Sequence, residues 1–273
     1  MQALTFASIQ KKMKQFLARI MRSPAFQPIW EKLYHLSKIG MNYWGGSSIA
    51  ESGERFAMDY VKRQLSDGRG GVVFDVGANL GQYASELIQR FPERIIHSFE
   101  PSSKTILRLN ETVSEALKNG RIKTHNLGFG SKAETLTLYA EGDYAATASI
   151  HGAVGRNTDQ LVQEQIKIER LDDFCQANSI DRIAFLKIDV EGHELEVLNG
   201  AKRMLDEDRI DFIQFEFGEF HMDARCFFRE FWQVLTPRYS IYRILPKGLR
   251  KLDRYSSDLE VFNTINYLAI RSK

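Results

Sequence analysis

Residues 72–81 of this chain read Val72-Val73-Phe74-Asp75-Val76-Gly77-Ala78-Asn79-Leu80-Gly81, and no other stretch constrains the fold as much. An apolar, β-branched run suits a strand buried on both faces. The run ends in an acid and a glycine, and a second glycine opens an amphipathic segment. Gly77 permits a tight turn, and Gly81 permits the next helix to lie close to the sheet. Over 82–91, Tyr83, Leu87, Ile88 and Phe91 recur at helical spacing before Pro92 stops the run. Strand, glycine turn and helix in succession predict a nucleotide-type site at a strand's carboxyl end.

Ile95-Ile96-His97-Ser98-Phe99 reads as a second strand ending at Glu100-Pro101. A carboxylate about 20 residues past the glycine turn is where dinucleotide folds hold ribose hydroxyls. The turn departs from G-x-G-x-x-G, because Asn79 stands where the middle glycine would let backbone approach a pyrophosphate. A ligand with ribose and no phosphate fits that pattern. S-adenosylmethionine is the common one; the alternatives are an NAD-linked sugar oxidoreductase and a non-catalytic scaffold docked on a membrane through residues 1–40. The candidate cofactor residues are Asp75, Gly77, Ala78, Asn79, Gly81, Tyr83, Glu100 and Pro101.

Further along, a helix is expected over 102–118, with Ile106, Leu109, Val113 and Leu117 as its apolar face, followed by a third strand over 121–125. Asn126, at its end, is placed either to meet an adenine edge or to cap the turn. Thr135 to Tyr139 alternates like an edge strand. Residues 141–163 lack periodicity and carry Gly142, Gly152, Gly155 and Asn157, so they are expected to form a substrate-side lid. Residues 183–188 are the clearest central strand and run into Asp189-Val190-Glu191-Gly192-His193-Glu194. A helix, a strand over 210–217 with Glu216 near its end, a helix over 223–235 and strands over 239–244 and 266–271 follow. This alternation predicts an α/β, doubly wound, mostly parallel sheet with ligands at the strand carboxyl ends.

Charge is uneven. Residues 1–40 hold seven Lys and Arg against Glu31 alone, so a chain of net charge +2 leaves the remainder four negative. Nucleic acid is therefore not expected as a partner of the main domain. Leu4, Phe6, Ile9, Met13, Phe16, Leu17, Ile20 and Met21 share one helical stripe opposite the basic residues. Such a stripe lies on an anionic membrane, on its own domain or on a second subunit. The expected division is a helical extension over 1–70 and a cofactor-binding domain over 71–273, assembled as a homo-oligomer. No run approaches the roughly 18 apolar residues of a membrane span. With no signal-peptide pattern and with Cys175 and Cys226 as ordinary thiols, the expected location is cytoplasmic, peripheral to the inner face of the membrane through residues 1–40.

With a cofactor over the glycine turn, the acceptor belongs across the topological switch point, near Asp189. Methyl transfer to an alcohol needs alignment and a base or a metal at the oxygen. Asp189, Glu191, His193 and Glu216 are the candidate catalytic groups. Asp189 is equally placed to bind the methionine ammonium or to cap the helix, and His193 suits a base near pH 7. A divalent metal bridged by Asp189 and Glu216 is the alternative, without a tight ligand motif to support it.

From about Gly71 onward the chain resembles the FkbM family of S-adenosylmethionine-dependent methyltransferases. The resemblance rests on Phe74 to Gly81, on Phe99-Glu100-Pro101, on Leu171-Asp172-Asp173-Phe174, and above all on Leu186-Lys187-Ile188-Asp189-Val190-Glu191-Gly192-His193-Glu194 followed by Asn199-Gly200-Ala201. It implies a class I methyltransferase (Rossmann-like) sheet with an antiparallel last strand, and an activity on hydroxyls of sugars or polyketides. Gly40-Met41-Asn42-Tyr43, Tyr242-Arg243-Ile244 and Glu260-Val261-Phe262-Asn263 resemble the subgroup found with bacterial polysaccharide genes, which makes a sugar or glycan hydroxyl the expected acceptor.

Overall fold

The apolar runs become the sheet. The computed structural model describes residues 13–15, 18–45, 48–65, 70–142, 148–151 and 161–272. Its strands are β1 (Val72–Val76), β2 (Ile96–Phe99), β3 (Ile122–His125), β4 (Gly128–Phe129), β5 (Glu134–Ala140), β6 (Val162–Glu169), β7 (Ile183–Ile188), β8 (Ile210–Phe217), β9 (Tyr239–Leu245), β10 (Gly248–Lys251) and β11 (Ile265–Arg271). The main sheet has the order β10-β9-β11-β8-β7-β1-β2-β3. β1 is parallel to β2 and β7, and β11 is antiparallel to both of its neighbours. This is the class I, doubly wound arrangement with an antiparallel last strand. The order reverses between β1 and β7, so the crevice lies at their carboxyl ends.

Register makes that crevice. Val76 pairs with Phe99 on one side and Ile188 on the other, so Gly77, Glu100 and Asp189 leave the sheet level with one another. Every residue of β7 is buried, as a strand covered by helices on both faces requires. Helix α1 spans Gln27–Gly40, α2 Glu54–Gln64 and α3 Gln82–Arg90. Met58 and Val61 of α2 and Leu87 of α3 are fully buried, each contributing about 1.5–3 kcal/mol by leaving water.

Several elements differ from their expected form. The helix expected over 102–118 is two, α4 (Thr105–Thr112) and α5 (Ser114–Lys118), because Val113 leaves helical geometry (φ −106°, ψ 19°). The strand at 135–139 pairs with β6 in a separate three-stranded sheet, β4-β6-β5. The helix expected over 223–235 is broken, with Arg225 at φ +53° between Phe220–Asp223 and Phe228–Leu235. β10, a hairpin return from β9, was not anticipated.

The chain forms two compact units, Met1–Tyr43 and Trp44–Lys273. The boundary falls ahead of α2 and not at residue 70, because Ala57, Met58 and Val61 of α2 join the core beside Val73 and Leu87. Most of the stripe over 4–21, and 143–147 and 152–160 of the expected lid, lie outside the described residues. No helix of the described residues is long and apolar enough to cross a membrane.

Candidate active site

The turn after β1 can only be built with glycine. Gly77 has φ +79°, and a Cβ there would lie 1.8 Å from the Asp189 carbonyl oxygen, so the backbones of the two central loops touch. Asn79 also takes a positive φ, +46°. Above this turn is a cavity of about 400 Å³, within the range of small-molecule sites.

Of the residues singled out from the sequence, Gly77, Ala78, Asn79, Tyr83, Glu100, Pro101, Asp189, Glu191 and His193 line that cavity. Asp75, Gly81, Asn126 and Glu216 do not. Asp75 lies below the turn, fully buried. Gly81 serves packing, since a Cβ there would meet Leu109 Cδ1 of α4 at 2.8 Å. The Asn126 amide nitrogen donates to the Glu100 and Pro101 carbonyls at 3.0 and 2.8 Å, so it braces this turn. Burial, with Asp189, Glu191 and Glu194 nearby, pushes the Glu216 carboxyl well up.

Glu100 is held in place by backbone. One carboxylate oxygen accepts the Asn79 N–H and the other the Ser102 N–H, both at 2.9 Å. Burial still pushes the carboxyl up to about 7, against the pull of those two hydrogen bonds. The Asn79 side-chain oxygen is buried in the same wall without a hydrogen-bond partner.

Beside Glu100 is a charge cluster that sequence reading only partly anticipated. Lys187 is 3% exposed and lies 3.5 Å from Asp75 and 3.3 Å from Asp189. Its ammonium donates to the Gly77 carbonyl at 3.2 Å and sits 5.0 Å from the centre of the Tyr83 ring. Burial alone would lower the Lys187 pKa, but Asp189, Asp75 and Glu54 together raise it, so it stays charged. Glu54, from the first turn of α2, lines the cavity and was not singled out from the sequence.

The far side of the cavity is built by the segment after β7 and by the small sheet. Leu138, Ala148, Ile150, Ile166 and Ile168 give it an apolar wall. Glu191 takes φ +54°, and its carbonyl accepts the Ser149 hydroxyl at 2.8 Å. Burial, with Asp189 and Glu194 close by, pushes the Glu191 carboxyl up to about 9. Glu194 begins the helix Glu194–Gly200; its carboxylate accepts the Val190 and Gly192 N–H groups and lies 3.0 Å from His221. His193 Nδ1 faces His151 Nε2 at 3.4 Å, and burial followed by that neighbour pushes His193 down to about 4. Among the described residues no group of three or more His, Cys, Asp or Glu could hold a metal ion, so the Asp189–Glu216 bridge has no further ligand there.

The family described as "Methyltransferase FkbM domain" matches residues 75–244, more than half of the chain. "Methyltransferase 1" of Beauveria bassiana is 26% identical over 52% of this chain and 61% of its own length. The "2-O-methyltransferase NoeI" of Sinorhizobium fredii is 23% identical over 65% of this chain and 76% of its own. The "Hexuronic acid methyltransferase AglP" of Haloferax volcanii is 28% identical over 54% and 56%. The chain thus spans less than two thirds of two of these three relatives.

Proposed function

This chain belongs to the FkbM methyltransferase family, and we propose that it is an S-adenosylmethionine-dependent O-methyltransferase acting on a hydroxyl of a sugar or glycan. The observation that carries the reading is how the glycine turn uses its N–H groups. Those of Gly77 and Ala78 donate to the Phe99 carbonyl, that of Asn79 to Glu100, and that of Gly81 to the Ala78 carbonyl. A pyrophosphate needs backbone donors of this kind turned toward it. These four are engaged by the protein itself, which supports a phosphate-free adenosyl ligand over the pyrophosphate of an NAD-linked enzyme.

The residues present fit such a ligand. Each Glu100 oxygen keeps a second lone pair for a ribose hydroxyl. The unpartnered Asn79 oxygen and the open backbone at Gly77 suit the amino-acid end, with Asp189 alongside. Bound there, the cofactor supplies a methyl group made electrophilic by a sulfonium. The chain's part is to orient the acceptor and take its proton as the hydroxyl becomes an ether. His193 lines the cavity and is assigned as the base. Burial pushes it down to about 4, below the value near 7 expected from the sequence, so it is neutral at pH 7 and takes the proton only as methyl transfer acidifies the hydroxyl. Glu191, protonated at that pH, donates a hydrogen bond instead. The acceptor class is supported by relatives named for 2-O-methylation and for hexuronic acid.

Parallel calorimetry with S-adenosylhomocysteine and NAD tests the cofactor. Binding of the first alone is expected, and binding of NAD alone ends this reading. Label transfer from methyl-labelled cofactor to a panel of neutral and hexuronic glycosides tests the acceptor; cofactor binding without label on any sugar would move it to another class.

The first compact unit favours an additional contact. None of the residues of α1 is buried, and Ile29, Leu33 and Leu36, at i, i+4 and i+7, are 49%, 48% and 61% exposed. With the basic excess of residues 1–40, this stripe fits an anionic membrane surface. Flotation with phosphatidylglycerol vesicles should be lost in a Leu33→Ser, Leu36→Ser variant. Equal flotation of variant and parent would dismiss it, and sedimentation as a dimer would point to a second copy as the occupant.

A further inference from the structure

The methionine end of the cavity carries more negative charge than its one buried cation balances. Asp75, Asp189 and Glu54 surround Lys187, and the Lys187 ammonium is directed at Asp75, Asp189 and the Gly77 carbonyl. Glu54 is the acid left with neutral hydrogen-bond partners. One of its oxygens accepts the Gln214 amide N–H at 2.9 Å, and the other the Ser52 hydroxyl at 2.9 Å. Gln214 is fixed in turn, accepting from the Tyr83 hydroxyl at 2.8 Å and donating to Asn266 at 3.2 Å.

An acid in the first turn of a helix is ordinarily explained by the helix dipole. Glu54 exceeds that explanation. It is carried into the interior, where burial pushes its carboxyl up, and it lines the cavity. A charge so placed is costly, and Lys187, shared with Asp75 and Asp189, offsets that cost only in part. Asn79, which lines the same cavity, has its side-chain oxygen buried without a partner, a second acceptor open to a donor from the ligand. Each Glu54 oxygen keeps a second lone pair, and an ammonium has three donors.

Building on the cofactor reading above, we propose that Glu54 receives the α-ammonium of the bound methionyl group, so that a residue upstream of the family-matched segment completes the cofactor site. Ile49, also upstream, lines the same cavity, so the chain between the two compact units' boundary and β1 belongs to the site and not to an appendage.

The test compares two ligands on the full chain by calorimetry. S-adenosylhomocysteine carries the ammonium, whereas 5′-methylthioadenosine has the same adenosine and thioether without the amino-acid part. Glu54→Gln keeps the shape and the Gln214 hydrogen bond while removing the charge. It should weaken S-adenosylhomocysteine by about ten- to a hundredfold and leave methylthioadenosine within about twofold. Equal loss for both ligands, or no loss for either, would show that Glu54 only anchors α2 and would overturn the proposal. Should the variant not fold, the unmutated chain decides. Its preference for S-adenosylhomocysteine should fall on acidification as Glu54 takes a proton amid Asp75, Asp189 and Lys187, and a flat preference refutes the assignment. If the unmutated chain binds neither ligand, the cofactor reading itself fails and this proposal with it.

Discussion

Two histidine pairs in this molecule share almost every local property yet sit in different regions. His97 and His125, on β2 and β3, place Nδ1 against Nε2 at 3.1 Å; His193 and His151, at the cavity, do so at 3.4 Å. Burial pushes His97, His125 and His193 alike to about 4. The surroundings separate them. His97 is 4% exposed and packs with Phe74, Phe99 and Phe174, whereas His193 shares a cavity wall with Glu191 and Asp189. A displaced titration therefore records burial, and only an open face with reactive neighbours makes it a site.

The largest expected effect is on turnover. His193→Ala should lower kcat by about 10²–10⁴ while calorimetric affinity for S-adenosylhomocysteine stays near the parent value. If turnover is unchanged, the contrast between the pairs disappears and both are packing. Next comes the converse. His97→Ala should cost about 2–4 kcal/mol in urea unfolding, from the lost ring and the unpaired His125, with kcat per folded molecule unaltered.

A third experiment separates the pairs by pH. Because the folded-state pKa values lie below the ordinary histidine value of about 6.5, the unfolded chain binds more protons between there and about 4. The stability from the neutral pair is complete above about pH 6.5 and is lost as pH falls toward about 4. Glu100, raised to about 7, acts oppositely, since its folded form keeps a proton that the unfolded form releases. The parent curve is therefore muted, and the difference from a non-titrating, aromatic His97→Phe variant is the quantity to measure. That difference should shrink by about 2–3 kcal/mol on acidification to pH 4. A pH-independent difference would mean the pair is not buried as a neutral unit.

How much could be read without coordinates follows from the same physics. A strand buried on both faces has to be a continuous apolar run, so 72–76 and 183–188 were legible, and the acids and glycines that follow them placed the crevice. β6 was not, because Glu164 shares the inward face with Ile166 and Ile168, so only two apolar residues remain to show an alternation. Asn126 stood open between two roles, and its amide nitrogen takes the bracing one, bonding the Glu100 and Pro101 carbonyls. Glu54 gave no signal at all. An acid opening an amphipathic helix is commonplace, and the partner that gives it meaning, Gln214, is 160 residues away.

The smallest effect should come from His151, and it sharpens the comparison most. His151 is not among the residues that line the cavity; its Nε2 meets Nδ1 of His193, so it orients the ring and disfavours its protonation without touching the acceptor. His151→Ala should lower kcat less than about tenfold, with KM nearly constant, as expected of a group that acts through the base. It also opens His193 to water and removes a neighbour that disfavours its protonation, so the His193 pKa must rise toward the ordinary value. The acid limb of kcat/KM, near pH 4 in the parent, then moves to higher pH. The matching change in the core, His125→Ala, should leave that limb in place and appear only as lost stability. Should His125→Ala move the limb and His151→Ala leave it, the roles given to the two pairs would have to be exchanged.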